Sequence, residues 1–158
     1  MVEPSTDPDL MNAIIGAAPG SPLAELRAQR PDILRHTQGS HDVLLSPDDP
    51  GGLSLAERAL VARRVAELSG HVALSNHYQV LLNTRGAPPP NPRTTTILTH
   101  AERLATAPGT ATKAHLATLT AAGLSARDIV ALTQLVAFVA YQVRVAVGLA
   151  LLAQEKAA

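Results

Sequence analysis

From Ile129 to Ala153 the chain reads IVALTQLVAFVAYQVRVAVGLALLA, with Thr133, Gln134, Tyr141, Gln142 and Arg144 as the only side chains carrying polar groups. A helix through such a run is apolar on nearly every face and must be covered almost all round. A span of about 20 apolar residues is enough to cross a bilayer. However, Gln134, Gln142 and Arg144 lie inside the run, and an arginine near a bilayer centre costs several kcal/mol. The reading that remains is a helix covered on one side by its own domain and on the other by a second subunit.

The composition suits that arrangement. Of 158 residues, 46% are hydrophobic but only 2% aromatic, so a core must be built from Ala, Leu and Val, whose small side chains let helices approach closely. The length suffices for one domain, over residues 1–158, with a real interior. Thirteen basic and thirteen acidic residues cancel, which argues against nucleic acid or an anionic membrane as partner. With no cysteine, disulfides, thiolate metal sites and cysteine redox cycling are excluded. Met1 is followed by VEPSTDPDL rather than a basic and then apolar run, so a soluble, cytoplasmic protein is expected.

Glycine and proline divide the rest into short helices. Residues 1–6 are polar and expected to be loose. Asp7-Pro8 reads as an N-cap and first helical residue, opening a helix through Leu10, Ile14 and Ile15 that Gly16 ends. Ser21-Pro22 repeats the pattern for a helix to about Gln29. Pro31 opens a third with Ile33, Leu34, Val43, Leu44 and Leu45 apolar and Gly39 in its middle, and SPDDPGG (46–52) is a loop. The proline-rich stretch 83–93 is expected to be a surface loop within the domain. Beyond it lie a helix through Ile97, Leu98 and Leu104 and another from about Ala111 to Ala122, with Leu116 and Leu119 inward. The fold class is all-α.

The most organised stretch is Leu53 to Leu82. Ser54 with Glu57 three residues on is the reciprocal capping pair of a helix start. Leu60, Val61, Val65 and Leu68 recur at helical spacing, Gly70 supplies a left-handed C-terminal cap, and a second helical run from Val72 carries His77 and Tyr78. Gly123-Leu124-Ser125-Ala126-Arg127-Asp128 repeats the grammar of Gly52-Leu53-Ser54-Leu55-Ala56-Glu57. The repeat is either the trace of a duplicated hairpin or two solutions to one capping problem.

This helix–glycine–helix pattern resembles the core motif of the carboxymuconolactone decarboxylase superfamily, which includes the alkyl hydroperoxidase D (AhpD-like) proteins. There a glutamate precedes a Cys-x-x-Cys, with a histidine four residues after the second cysteine. Anchored on His77, the cysteine positions fall on Gly70 and Ala73, with Glu57 one residue further upstream than usual. Anchored on Glu57, they fall on Ser69 and Val72, and the histidine position becomes Asn76. Neither register supplies a thiol. The final helix also resembles the superfamily's, with Ala140-Tyr141-Gln142-Val143-Arg144 loosely matching its Asn-x-x-Asn-Arg-like run. The resemblance implies an AhpD-like bundle from Pro31 onward, assembled as a trimer or hexamer, with a dimer as the alternative. It further implies proton-transfer roles for Glu57 and His77.

Each residue also has a purely structural reading. Glu57 serves the capping box whatever else it does. His77 has an imidazole that titrates where proton transfer is useful, or it is an ordinary histidine on an apolar helix face. His71 follows the glycine break and is placed to donate to the carbonyls of the preceding helix end. Arg144 needs a partner, either a substrate carboxylate or a structural ion pair with Glu57 or Glu67. Gln134 and Tyr141, seven residues apart, share a face and either line a polar cavity or bond to neighbours. Six histidines without an HxxxH or HExxH pair predict no metal, and no phosphate-binding glycine loop predicts a cofactor. Two functional classes follow. One is a thiol-free small-molecule enzyme using Glu57, His77 and Arg144. The other is a catalytically inactive, peroxidase-related ligand-binding or scaffold oligomer.

Overall fold

A computed structural model of the protein describes residues 9–155, with side chains for residues 9–153. Its elements are α1 (Leu10–Ile14), α2 (Pro22–Ala28), α3 (Pro31–Leu45), α4 (Leu55–Leu68), α5 (Val72–Arg85), α6 (Pro92–Thr106), a 3-10 turn (Pro108–Thr110), α7 (Lys113–Ala121) and α8 (Ala126–Glu155). No strand occurs among the described residues. The starts follow side-chain capping chemistry: Asp9, Ser21, Ser54, His71 and Asn91 each accept a backbone N–H of the first turn. The cap of α1 is Asp9 rather than Asp7, which lies outside the described residues along with the stretch 1–6.

One boundary and one buried face differ from the sequence reading. Helix α5 runs past Leu82 to Arg85, and Gly86 (φ +76°) ends it, so only residues 86–91 of the proline-rich stretch are linker. Arg85 holds the extra turn by donating to Leu55 O (3.0 Å) and Ser46 Oγ (2.6 Å). In α7, Leu119 is buried but Leu116 is exposed, because α7 covers α6 with one narrow face.

Helices α4 and α5 form a tight hairpin around Gly70 (φ +68°), and α4 also packs against α6 and α8. Val61, Val65, Leu74, Ile97, Leu132 and Leu135 meet in the resulting core. Val139 and Val143 of α8 also belong to that core. The other face of α8 lies open: 33% of its most apolar stretch is buried, and Val130, Tyr141, Val147, Leu151 and Leu152 are exposed.

The two glycine-led helix starts are neighbours in space. Asp128 accepts the N–H of Gly52 (2.8 Å), of its own Ser125 (2.9 Å) and the Ser125 hydroxyl (2.7 Å). Arg58 gathers the loop before α4, donating to Leu44 O, Pro50 O and Leu53 O at 2.8 to 2.9 Å. Arg127 reaches the same loop at Asp49 (2.7 Å).

Candidate functional site

His77 lies on the α5 face that meets α3. Its ring is half-buried, packing edge-on against Tyr78 (centroids 5.0 Å apart) and beside His41 of α3 (5.8 Å). His41 in turn stacks on Tyr78 at 6.4 Å. Tyr78 is wholly buried and its hydroxyl donates to Gln142 Oε1 of α8. The Nε2 atoms of His77, His41 and Gln142 are all buried with no hydrogen-bond partner. Buried polar atoms are normally satisfied, so three such nitrogens around one tyrosine mark a built polar cluster in an otherwise apolar bundle. Burial, and secondarily the neighbouring His41, lowers the His77 pKa from 6.5 to about 4. The imidazole is therefore neutral at physiological pH. Burial raises the Tyr78 phenol above its ordinary value.

Glu57 stands in a different setting. Its Oε2 accepts the Ser54 N–H (2.9 Å) and its Oε1 accepts Arg93 Nε (2.8 Å). Burial works against its ionised form, but the bonds from Arg93 and Ser54 outweigh this and hold its pKa below the ordinary carboxylate value. Arg93 goes on to Ala122 O at the end of α7 (3.0 Å) and Gly52 O (2.5 Å). The capping box is present as the sequence indicated, and the arginine joins it to the second helix start.

The remaining candidates lie apart from both clusters. Arg144 is exposed and donates to Ala140 O of its own helix (2.9 Å). It pairs with neither Glu57 nor Glu67, because Arg93 takes the first and Arg63 and Arg64 take the second. Glu57, His77 and Arg144 thus share no hydrogen bond or ion pair. Tyr141 and Gln134 share the outer face of α8: Tyr141 Oη lies 3.2 Å from Thr37 Oγ1, and Gln134 lines an open groove of about 670 Å³ between α3 and α8. His71 Nδ1 accepts the Leu74 N–H (3.3 Å), so its ring caps the following helix; its backbone N–H bonds Ala66 O of the preceding one (3.1 Å). Of the two motif registers, the one on His77 reaches the interior, since Asn76 is exposed. The positions matching cysteines are a left-handed Gly70 and an exposed Ala73.

Sequence reasoning did not assemble His41, Tyr78 and Gln142 around His77, nor Arg93 on Glu57. Gln142 was the available signal, as a polar residue in an apolar helix. His41 carried none, since its approach to α5 is purely tertiary. Among the described residues no three His, Asp or Glu side chains are grouped as metal ligands would be.

No family model matches the sequence, and no curated protein matches it either. Solved structures do. An uncharacterised peroxidase-related protein from Silicibacter sp. TM1040 is 21% identical with a TM-score of 0.61, over 95% of this chain and 88% of that one. An uncharacterised peroxidase-related protein from Ralstonia eutropha JMP134, described as an alkylhydroperoxidase AhpD core, is 28% identical with a TM-score of 0.55, over 88% and 82%. The helical hairpin around Gly70, the α8 that packs against it and these likenesses agree: the chain has the all-α AhpD-like fold.

Proposed function

We propose that the protein is a thiol-free, soluble, cytoplasmic relative of the carboxymuconolactone decarboxylase and AhpD-like proteins. In this reading it works as a homo-oligomer and moves a proton on a small molecule at His77. The observation that carries the reading is the neutral His77 imidazole with an unpartnered Nε2, next to two further unpartnered nitrogens and the Tyr78–Gln142 bond. A neutral imidazole presents a lone pair that accepts a proton. With its pKa near 4 it is a weak base when alone, and an anionic ligand beside it would raise that basicity. Gln142 Nε2 offers the donor that an oxyanion or carbonyl oxygen needs. Glu57, held by Arg93 and Ser54, supports the site from outside by fixing the start of α4.

The test is solvent exchange. The protein is incubated in D2O with small carboxylates and lactones, and deuterium incorporation or product is followed by NMR. Turnover lost in His77→Gln and retained in Arg144→Gln supports the reading. No exchange or product with the wild-type protein sinks it.

A second reading is a catalytically inactive ligand-binding or scaffold oligomer, favoured by the separation of Glu57 from His77. Both readings rest on self-association, which the outer face of α8 supports. Val130, Gln134, Ala137, Tyr141, Arg144, Gly148 and Leu151 are spaced alternately four and three apart, and all are exposed. That spacing is the seam of helices that pack on one another.

A further inference from the structure

A second cavity, of about 280 Å³, opens between α6 and α7, away from His77. Arg103, His100 and His115 line it together with threonines and Leu119, and no acidic residue does. Arg103 is in no ion pair among the described residues, whereas its neighbour Glu102 is taken by Arg64. His115 Nδ1 accepts the Thr112 N–H (3.1 Å), so its Nε2 carries the ring proton and is a donor. His100 is 5% exposed and its Nδ1 is buried without a partner. Burial first, then the neighbouring His115 and Arg103, lower the His100 pKa. A pocket that gathers an unpaired guanidinium and two imidazoles, with no counter-charge, is matched to an anion.

The threonines narrow the choice of anion. Thr95, Thr96 and Thr118 spend their hydroxyl protons on the carbonyls of Asn91, Pro92 and Ala114 at 2.9 to 3.1 Å. Their oxygens therefore offer lone pairs to whatever enters the cavity. Inorganic phosphate has at most two O–H groups to give these acceptors, leaves its other oxygens facing them, and has no carbon chain to set against Leu119. A carboxylate bearing a hydroxyl group meets a guanidinium at one end and acceptors for its O–H at the other, and its short carbon chain fits against Leu119 and the threonine methyl groups.

We propose that the α6–α7 cavity is a binding site for a small hydroxycarboxylate, with Arg103 and His115 holding the carboxylate and the Thr95, Thr96 and Thr118 oxygens accepting from the hydroxyl. The site is independent of the chemistry at His77. It is tested by titrating the full chain with lactate, propionate and inorganic phosphate, following the histidine ring resonances by NMR and the heat by calorimetry. Lactate is expected to saturate with a Kd of about 1 mM or tighter, with His100 and His115 resonances moving together. Propionate is expected to bind roughly tenfold more weakly, and phosphate more weakly still. Arg103→Gln should weaken both carboxylates at least about tenfold, with unchanged circular dichroism. Thr118→Val should weaken lactate but leave propionate unaffected. Shifts that never saturate, equal binding to Arg103→Gln, or phosphate binding as tightly as lactate would each overturn the assignment.

Discussion

The Asp128 carboxylate at the start of α8 accepts the backbone N–H of Gly52, 76 residues earlier, across 2.8 Å. One acidic side chain thereby caps its own helix and fastens the loop that leads into α4. Its position beside the Glu57–Arg93 pair makes the two helix starts one polar junction at one end of the bundle, while the His41–His77–Tyr78–Gln142 cluster lies among the helices.

That contact leaves no room at Gly52. A Cβ there would sit 2.6 Å from Asp128 Oδ2. Gly52→Ala must push the carboxylate off its donors, and Asp128→Ala removes them a common acceptor. Each should destabilise the protein by about 2 kcal/mol, combining a lost cap with unsatisfied N–H groups. Because both act through the same bonds, the double variant should cost clearly less than the sum. Additive losses in urea unfolding would show that the contact does not couple them.

The Glu57–Arg93 pair should behave as structure. Glu57→Gln leaves Arg93 without its carboxylate in a largely buried setting, and a loss of about 3 kcal/mol is expected, the lower end for a buried pair because the arginine is partly exposed. Exchange or turnover at His77, measured well below the unfolding midpoint, should fall little. A large fall in turnover with unchanged stability would instead give Glu57 a direct catalytic part.

The capping pair, the Gly70 break, the proline-led helix starts and the all-apolar final helix were legible because each is a local rule, written in residues a few positions apart. Arg93 on Glu57 and His41 on His77 were not, because each joins segments whose approach depends on how whole helices pack. Arg144 misled for a related reason. An arginine in an apolar run implies a buried charge only if its face is the buried one, and the run's two faces look alike in sequence.

Burial of His77 sets a pH dependence. Its pKa is about 4 folded against 6.5 ordinarily, so between those values the unfolded chain binds more protons than the folded one. Stability therefore rises with pH across that window and is already reduced when pH falls through 6.5 toward 4. His77→Gln should flatten the stability profile between about pH 6.5 and pH 4, leaving the steeper loss at lower pH, where Glu57 and Asp128 protonate. A variant profile parallel to the wild type would mean that His77 titrates normally.

Thiol chemistry is absent in principle. Peroxide reduction of the AhpD kind needs one thiolate to attack and a second to resolve the sulfenic acid, and the chain has no cysteine. No dithiol-dependent turnover of cumene or tert-butyl hydroperoxide is expected from metal-free protein, and steady consumption of either would contradict this.

The outer face of α8 makes the sharpest prediction, because two groups of valines and leucines in one helix should respond differently. Val139 is wholly buried in the core, whereas Val147 is 50% and Leu151 57% exposed. Contiguous apolar patches beyond a few hundred Å² are rare on soluble monomers. At roughly 25 cal/mol per Å², covering a further 800 Å² or so per subunit would favour association by tens of kcal/mol before the costs of ordering. Val139→Asp places a charge in the core and should unfold the chain. Val147→Asp and Leu151→Asp place it only where a second subunit would pack, and should give folded, helical protein of smaller mass. Light scattering at micromolar concentration distinguishes the cases. A mass near 16.5 kDa for the unmodified protein would show that the open face of α8 is not a subunit contact.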